Sequence, residues 1–184
     1  MGTIQPRDIM VKSGEEIVVR SVLPEDTKVL HELTTEILRE REFMITDPDE
    51  FQFTEEQEHA WLQQHHNDPG MISLLAFAQT TLVGYVHFAC EGRRRRAHSG
   101  RFGIAVRREW RSKGVGLALL QALLDWAMDD PQVEKVWLEV FATNSRGIHL
   151  YEKLGFVEEG RLLKEIKVAP GHYIDLILMG RFVK

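Results

Sequence analysis

Three unlike segments follow one another between residues 101 and 128, and their junction constrains the fold and chemistry of the chain more than any other stretch. Arg101-Phe102-Gly103-Ile104-Ala105-Val106 reads as a strand, and the apolar residues that recur over 117–128 read as a helix. Between them lies a basic turn, with glycines at the third and fifth positions after Arg111. A strand, a glycine-punctuated turn and a helix start make an anion site out of backbone. The first N–H groups of the helix have no intrahelical acceptor, and the aligned peptide dipoles favour negative charge there. Gly114 and Gly116 carry no Cβ, so a phosphate can approach the main chain closely. Arg111 and Lys113 add positive charge, and an arginine fork engages phosphate oxygens in pairs. The turn formed by Arg111, Ser112, Lys113, Gly114, Val115 and Gly116 is therefore expected to hold a diphosphate-bearing ligand.

Spelling separates this turn from other phosphate loops. A Walker loop needs a Gly-Lys pair, and the chain has none. A dinucleotide fingerprint needs a third glycine, and Leu119 stands where it would fall. What remains, R-x-x-G-x-G, resembles the coenzyme A signature of the GNAT superfamily of N-acetyltransferases. A second stretch strengthens the likeness. Val136-Trp137-Leu138-Glu139-Val140-Phe141 reads as a buried strand; Asn144, a short helix carrying Tyr151, and Lys153-Leu154-Gly155-Phe156 follow it. Asn144 or Ser145 suits the helix start, and Gly155 suits a left-handed stop. The resemblance covers roughly residues 16–182, nearly all of the 184.

A chain of 184 residues suits one domain. Residues 1–15 are expected to be a tail or a short hairpin strand, and 16–184 a single acetyltransferase domain. Helices are expected from Pro24 to about Glu40, from a Thr54/Gln57 capping box to about His66 (ended by Asn67-Asp68-Pro69-Gly70), from Gly114 to Met128, and around Tyr151. Strands are expected over 17–22, 72–79, 82–90, 98–106, around Leu138, over 157–168 and over 172–182. This order gives a mixed α/β fold. The resemblance implies a central mixed, mostly antiparallel sheet with splayed middle strands and helices on both faces.

With 23 Lys and Arg against 28 Asp and Glu, the net charge of −5 gives no general reason to expect nucleic acid. Arg93-Arg94-Arg95-Arg96 reads as a solvated loop, and His65-His66 as a complement to a helix dipole. A single cysteine, Cys90, excludes an intramolecular disulfide, and no apolar run approaches a membrane span. A cytoplasmic, bacterial-type protein with no membrane or metal partner is the expectation, with a homodimer left open.

Acetyl transfer from a thioester to an amine needs a coenzyme grip, a polariser for the carbonyl, a base for the amine and a proton for the thiolate. The resemblance implies that Ile104, Ala105 and Val106 pair with the pantetheine arm of acetyl-CoA through their main chain, that an amide there meets the thioester oxygen, and that Asn144 bonds the arm. Tyr151 is the candidate general acid, because a phenol keeps its proton at neutral pH. Glu139 is the candidate base; His87, His98, Asp175 and water remain alternatives. Cys90 has no activating base in the sequence, so direct attack by the amine is the simpler route. The acceptor, a small-molecule amine such as an amino acid, is expected between the 41–53 loop and the 168–173 hairpin. That loop carries Asp47, Asp49 and Glu50 beside Phe43, Met44, Phe51 and Phe53. Alternatives are a ribosomal-protein-type N-terminal acetyltransferase and a non-catalytic acyl-CoA sensor.

Overall fold

The computed structural model describes residues 2–184 apart from 67 and 69, and for 64–66 the helical backbone alone. The paired side chains of His65 and His66, and Asn67 and Pro69 of the expected helix stop, lie outside the described residues.

Eight strands form one sheet: β1 (Arg7–Met10), β2 (Glu16–Ser21), β3 (Met71–Ala78), β4 (Thr81–Cys90), β5 (Ser99–Val106), β6 (Lys135–Phe141), β7 (Val157–Ala169) and β8 (His172–Phe182). Their order is β1-β2-β3-β4-β5-β6-β8-β7. Every neighbouring pair is antiparallel except β5 and β6. The residues ahead of β1 are not loose: the Gly2 amide donates to the Met71 carbonyl, and Ile4 packs against the core.

Helices α1 (Thr27–Arg39) and α2 (Glu55–His66) cover one face; α3 (Val115–Asp129) and α4 (Ser145–Lys153) cover the other. The alternation of β4 shows how the sequence builds both layers. Val86 and Phe88 join the cluster around α3, while Tyr85 packs on the cluster around α1 and α2. Helix α3 is apolar nearly all round, and it buries Leu119, Leu120 and Leu123 completely.

Local signals explain the helix starts. Thr54 and Gln57 exchange hydrogen bonds at 3.0 and 3.3 Å, which is the capping box read from sequence. Pro24 opens a 3-10 turn (Pro24–Asp26) that leads into α1. The buried Asp26 fixes that entry: it accepts two bonds from the Arg20 guanidinium at 2.7 Å each, and a third from the Leu23 amide at 2.7 Å.

Removing one partner of such a pair strands the other in a desolvated place. Asp26→Ala is expected to lower stability by about 3 kcal/mol, read as an earlier urea midpoint. A loss below about 1 kcal/mol would show that Arg20 is solvated as well as a surface ion.

Candidate active site

Strands β5 and β6 pair only over Ser99–Lys135, Gly100–Val136 and Arg101–Trp137. Beyond that point β5 runs on to Val106 and β6 to Phe141 without pairing. The gap opens into a cleft of about 1210 Å³, lined by β4, β5, β6, the start of α3, α4 and the Phe43–Thr46 part of the loop after α1.

At one end of the cleft lies the basic turn. Ser112 (φ 64) and Gly114 (φ 109) both adopt left-handed backbone, which for Gly114 carries no steric penalty. The result is a concave run of amides. No amide from residues 112–117 donates to another described residue, and the first bond of the helix is Ala118 N–H to the Gly114 carbonyl at 3.0 Å. Gly116 faces the same space, and a Cβ there would stand 3.3 Å from Leu150. The Val115 side chain is fully buried, so this residue offers only its amide.

The charged side chains of the turn are placed differently from expectation. Arg111 does not stand free to meet a phosphate: its guanidinium donates to Glu40 at 2.6 Å, to Glu42 at 3.2 Å and to the Val106 carbonyl at 3.0 Å. Lys113 pairs with Glu15 at 2.7 Å and lies 4.6 Å from the centre of the Trp110 ring. Three other cations at the cleft, Lys12, Arg146 and Lys153, have no ion-pair partner among the described residues. Sequence reasoning singled out none of them as a cation for the ligand. Lys12 reaches the turn through the bond from its amide to the Lys113 carbonyl at 2.9 Å, a contact across a hundred residues with no local signal.

Along β5 the antiparallel ladder alternates. Arg107 N–H bonds to Val83, so Ala105 turns its main chain toward Tyr85, while Ile104 and Val106 turn theirs toward the gap. The Val106 carbonyl is occupied by Arg111. Of Ile104, Ala105 and Val106, the middle residue is thus committed to the sheet. Asn144 lies at the cleft and caps α4, its Oδ1 accepting from Gly147 N–H at 3.0 Å. Gly155 ends that helix segment at φ 82.

Tyr151 enters the gap from the α4 side. Its ring packs edge-on against Phe102 at 5.8 Å and Phe156 at 6.2 Å, and its hydroxyl has no hydrogen-bond partner among the described residues. Burial pushes its ionisation up to about 12. Glu139 stands on the opposite face of the sheet, beside the split, paired with Arg101 at 2.9 Å.

The other candidates for a base separate. His87 lines the cleft, its Nδ1 2.8 Å from the Ser73 hydroxyl and its ring 4.8 Å from Trp61. His98 does not line it; its carbonyl receives Glu134 and Lys135 at the closed end of the split. Asp175 is taken by the Lys164 amide at 2.8 Å and by Arg161. The 168–173 hairpin is also absent from the cleft wall, because β8 pairs with β6 only from Leu176 onward and the tip runs past the end of β6. In the 41–53 loop, Phe43 and Met44 reach the cleft, whereas Asp47, Asp49 and Glu50 do not. No group of three or more His, Cys, Asp or Glu able to hold a metal occurs among the described residues. No helix among them is long and apolar enough to cross a membrane.

A helix start with free amides at one end of a parted sheet, with a phenol and a carboxylate at the parting, is an arrangement that suits a coenzyme-dependent acyltransferase. Residues 32–156 match the acetyltransferase (GNAT) family, and the chain belongs to that family; it is an acetyl-CoA-dependent N-acyltransferase. It is 32% identical over 124 residues, 67% of this chain and 76% of the relative, to the L-amino acid N-acetyltransferase AaaT of Escherichia coli (strain K12). It is 30% identical over 104 residues, 56% of this chain and 54% of the relative, to the spermidine N(1)-acetyltransferase of Vibrio cholerae. A GNAT-family acetyltransferase structure from Streptococcus pneumoniae superposes with a TM-score of 0.86 at 27% identity, covering 91% of this chain and 99% of that one.

Cys90 also lines the cleft, half-buried, and burial with help from Asp130 and Asp68 pushes its thiol up to about 11. Thiolate forms there only at alkaline pH. Iodoacetamide labelling at pH 7.5 is expected to run at least about tenfold slower than for a free thiol, quickening toward pH 11. Labelling as fast as free cysteine would mean an activated nucleophile.

Proposed function

We propose that this enzyme acetylates the primary amine of a small molecule, an amino acid or related amine, by direct attack in a ternary complex. One observation carries the reading: free amides, an unbonded phenol and a carboxylate converge on one cleft where two strands part.

The amides of Ser112, Lys113, Gly114, Val115 and Gly116 grip the diphosphate, with Lys12 and Arg146 as the cationic side chains beside them. Arg111 acts from behind, holding the turn through Val106 and Glu40. The outward groups of Ile104 and Val106 and the Asn144 side chain align the pantetheine arm, and Ala105 keeps β5 fixed to β4. When bound, acetyl-CoA supplies an activated acyl carbon on a thiol leaving group.

Glu139, directly or through a water, accepts the proton of the ammonium before attack. The amine nitrogen bonds to the acyl carbon, the carbon–sulfur bond breaks, Tyr151 gives its proton to the departing sulfur, and the proton that the nitrogen sheds on becoming an amide restores the phenol, directly or through solvent. The burial that raises the phenol keeps it protonated across the working pH range. Loss of this acid produces no alkaline limb in the rate below about pH 11.

The test is a screen of amines that follows thiol released from acetyl-CoA. Release with amino acids supports the reading; release only with peptide N-termini moves the enzyme to protein substrates; binding without release marks an acyl-CoA sensor. Tyr151→Phe is expected to lower kcat by ~10²–10⁴ with acetyl-CoA binding retained, and unchanged turnover would give the proton to water instead. Gly116→Asp places a carboxylate among the amides. Calorimetry is expected to show acetyl-CoA affinity falling at least about a hundredfold in a protein whose circular dichroism is unaltered. Retained affinity would put the diphosphate elsewhere.

A further inference from the structure

A second cavity of about 250 Å³ lies between α1, α2 and strands β3 and β4. Leu30, Leu75, Phe51, Phe53, Trp61 and Tyr85 supply its apolar walls, and Tyr85 and His87 line both this cavity and the cleft. We propose that it is the side-chain pocket of the acceptor, and that the preferred acceptors are amino acids carrying a large apolar, above all aromatic, side group. The inference rests on the assignment of the parted strands as the acetyl-transfer site.

Register connects the two places. His87 pairs with Gly103 on β5. Arg101 pairs with Trp137, so two residues further along these parallel strands Gly103 stands across the split from Glu139. His87, Gly103 and Glu139 therefore form one row across the sheet, with the cavity separated from the carboxylate by one paired-strand spacing and the width of the split. The row is open at its middle, because a Cβ on Gly103 would meet nothing within 4 Å. An amine held at Glu139 can thus lay its side group over Gly103 and into the cavity.

Size and polarity select that side group. A dry apolar cavity of about 150 Å³ takes up benzene, so this larger one has room for a substituted ring or an indole. Its polar groups already serve one another. The Ser73 hydroxyl meets His87 at 2.8 Å, and the Glu58 carboxylate meets His31 at 2.7 Å. Burial moves the Glu58 carboxyl above its ordinary value against the pull of His31, and the His31 ring already occupies one of its oxygens. What the pocket offers an incoming ligand is apolar surface.

The experiment measures kcat/KM for L-tryptophan, L-phenylalanine, L-leucine, L-alanine, L-lysine and spermidine with the intact enzyme, and again with Leu30→Phe and Thr34→Leu. Both substitutions add bulk at the cavity wall, and a melting temperature for each reports whether it folds. The aromatic amino acids are expected to exceed L-alanine at least about tenfold. Either filling variant that folds is expected to cut that ratio at least about tenfold through KM. Turnover without aromatic preference, or preference for L-lysine or spermidine, overturns the pocket and leaves acetyl transfer standing. A preference that both folded variants leave unchanged also overturns it, by placing the side group elsewhere. Absence of thiol release with every amine overturns the transfer reading itself.

Discussion

The parting of β5 from β6 is the feature on which the rest of the molecule depends. A parallel pair of these lengths would ordinarily continue its ladder, yet this one stops after Arg101 and Trp137. The residue that follows Arg101 is Phe102, which packs edge-on against Tyr151 at 5.8 Å and Phe156 at 5.6 Å, and those two rings meet each other at 6.2 Å. Those rings occupy the side of the sheet from which α4 approaches. They reward separation with apolar burial and aromatic packing, which offsets the ladder bonds that are given up. The separation leaves the main-chain groups of Ile104 and the Val106 amide unpaired by the sheet, and a backbone so placed can receive an extended ligand arm.

Much of this was legible in sequence because it is local. The capping pair Thr54 and Gln57, the left-handed Gly155 and the Asn144 cap each act over a few residues, and each lies where the pattern puts it. The side-chain partners of the turn were not legible. Arg111 reads locally as a phosphate ligand, but Glu40 and Glu42 reach it from the end of α1, about seventy positions earlier. Lys113 is claimed in the same way by Glu15, while Lys12, unremarkable in sequence, stands at the cleft. Charge within a motif signals what the backbone can bind; which cation is left over depends on tertiary neighbours that no short window contains.

The 168–173 tip shows a related failure. The sequence reading placed it beside the acceptor, across from the 41–53 loop. The strand register decides otherwise, because the last β6 partner of β8 is Leu176 and everything before it lies beyond the end of β6. A shift of a few residues in one pairing moves a hairpin from the wall of a site to the solvent.

The Arg111 pairs also relate the two halves of the cleft. Arg108 and Arg111 both contact Glu40 and Glu42, and the loop that enters the cleft begins between those two glutamates. Arg41 and Phe43 adopt left-handed backbone there (φ 53 and 51), a conformation that costs a non-glycine residue about 1–2 kcal/mol. Such backbone persists only where its surroundings hold it. The ion pairs supply that hold, with Arg111 only 15% exposed and Glu40 only 11%, so they act in a partly desolvated setting rather than as surface contacts. The chain reversal they secure aims Phe43 and Met44 into the cleft opposite the gap. One arginine thereby braces both the turn proposed to hold the diphosphate and the loop proposed to meet the acceptor, so the same few bonds relate the two ends of the cleft.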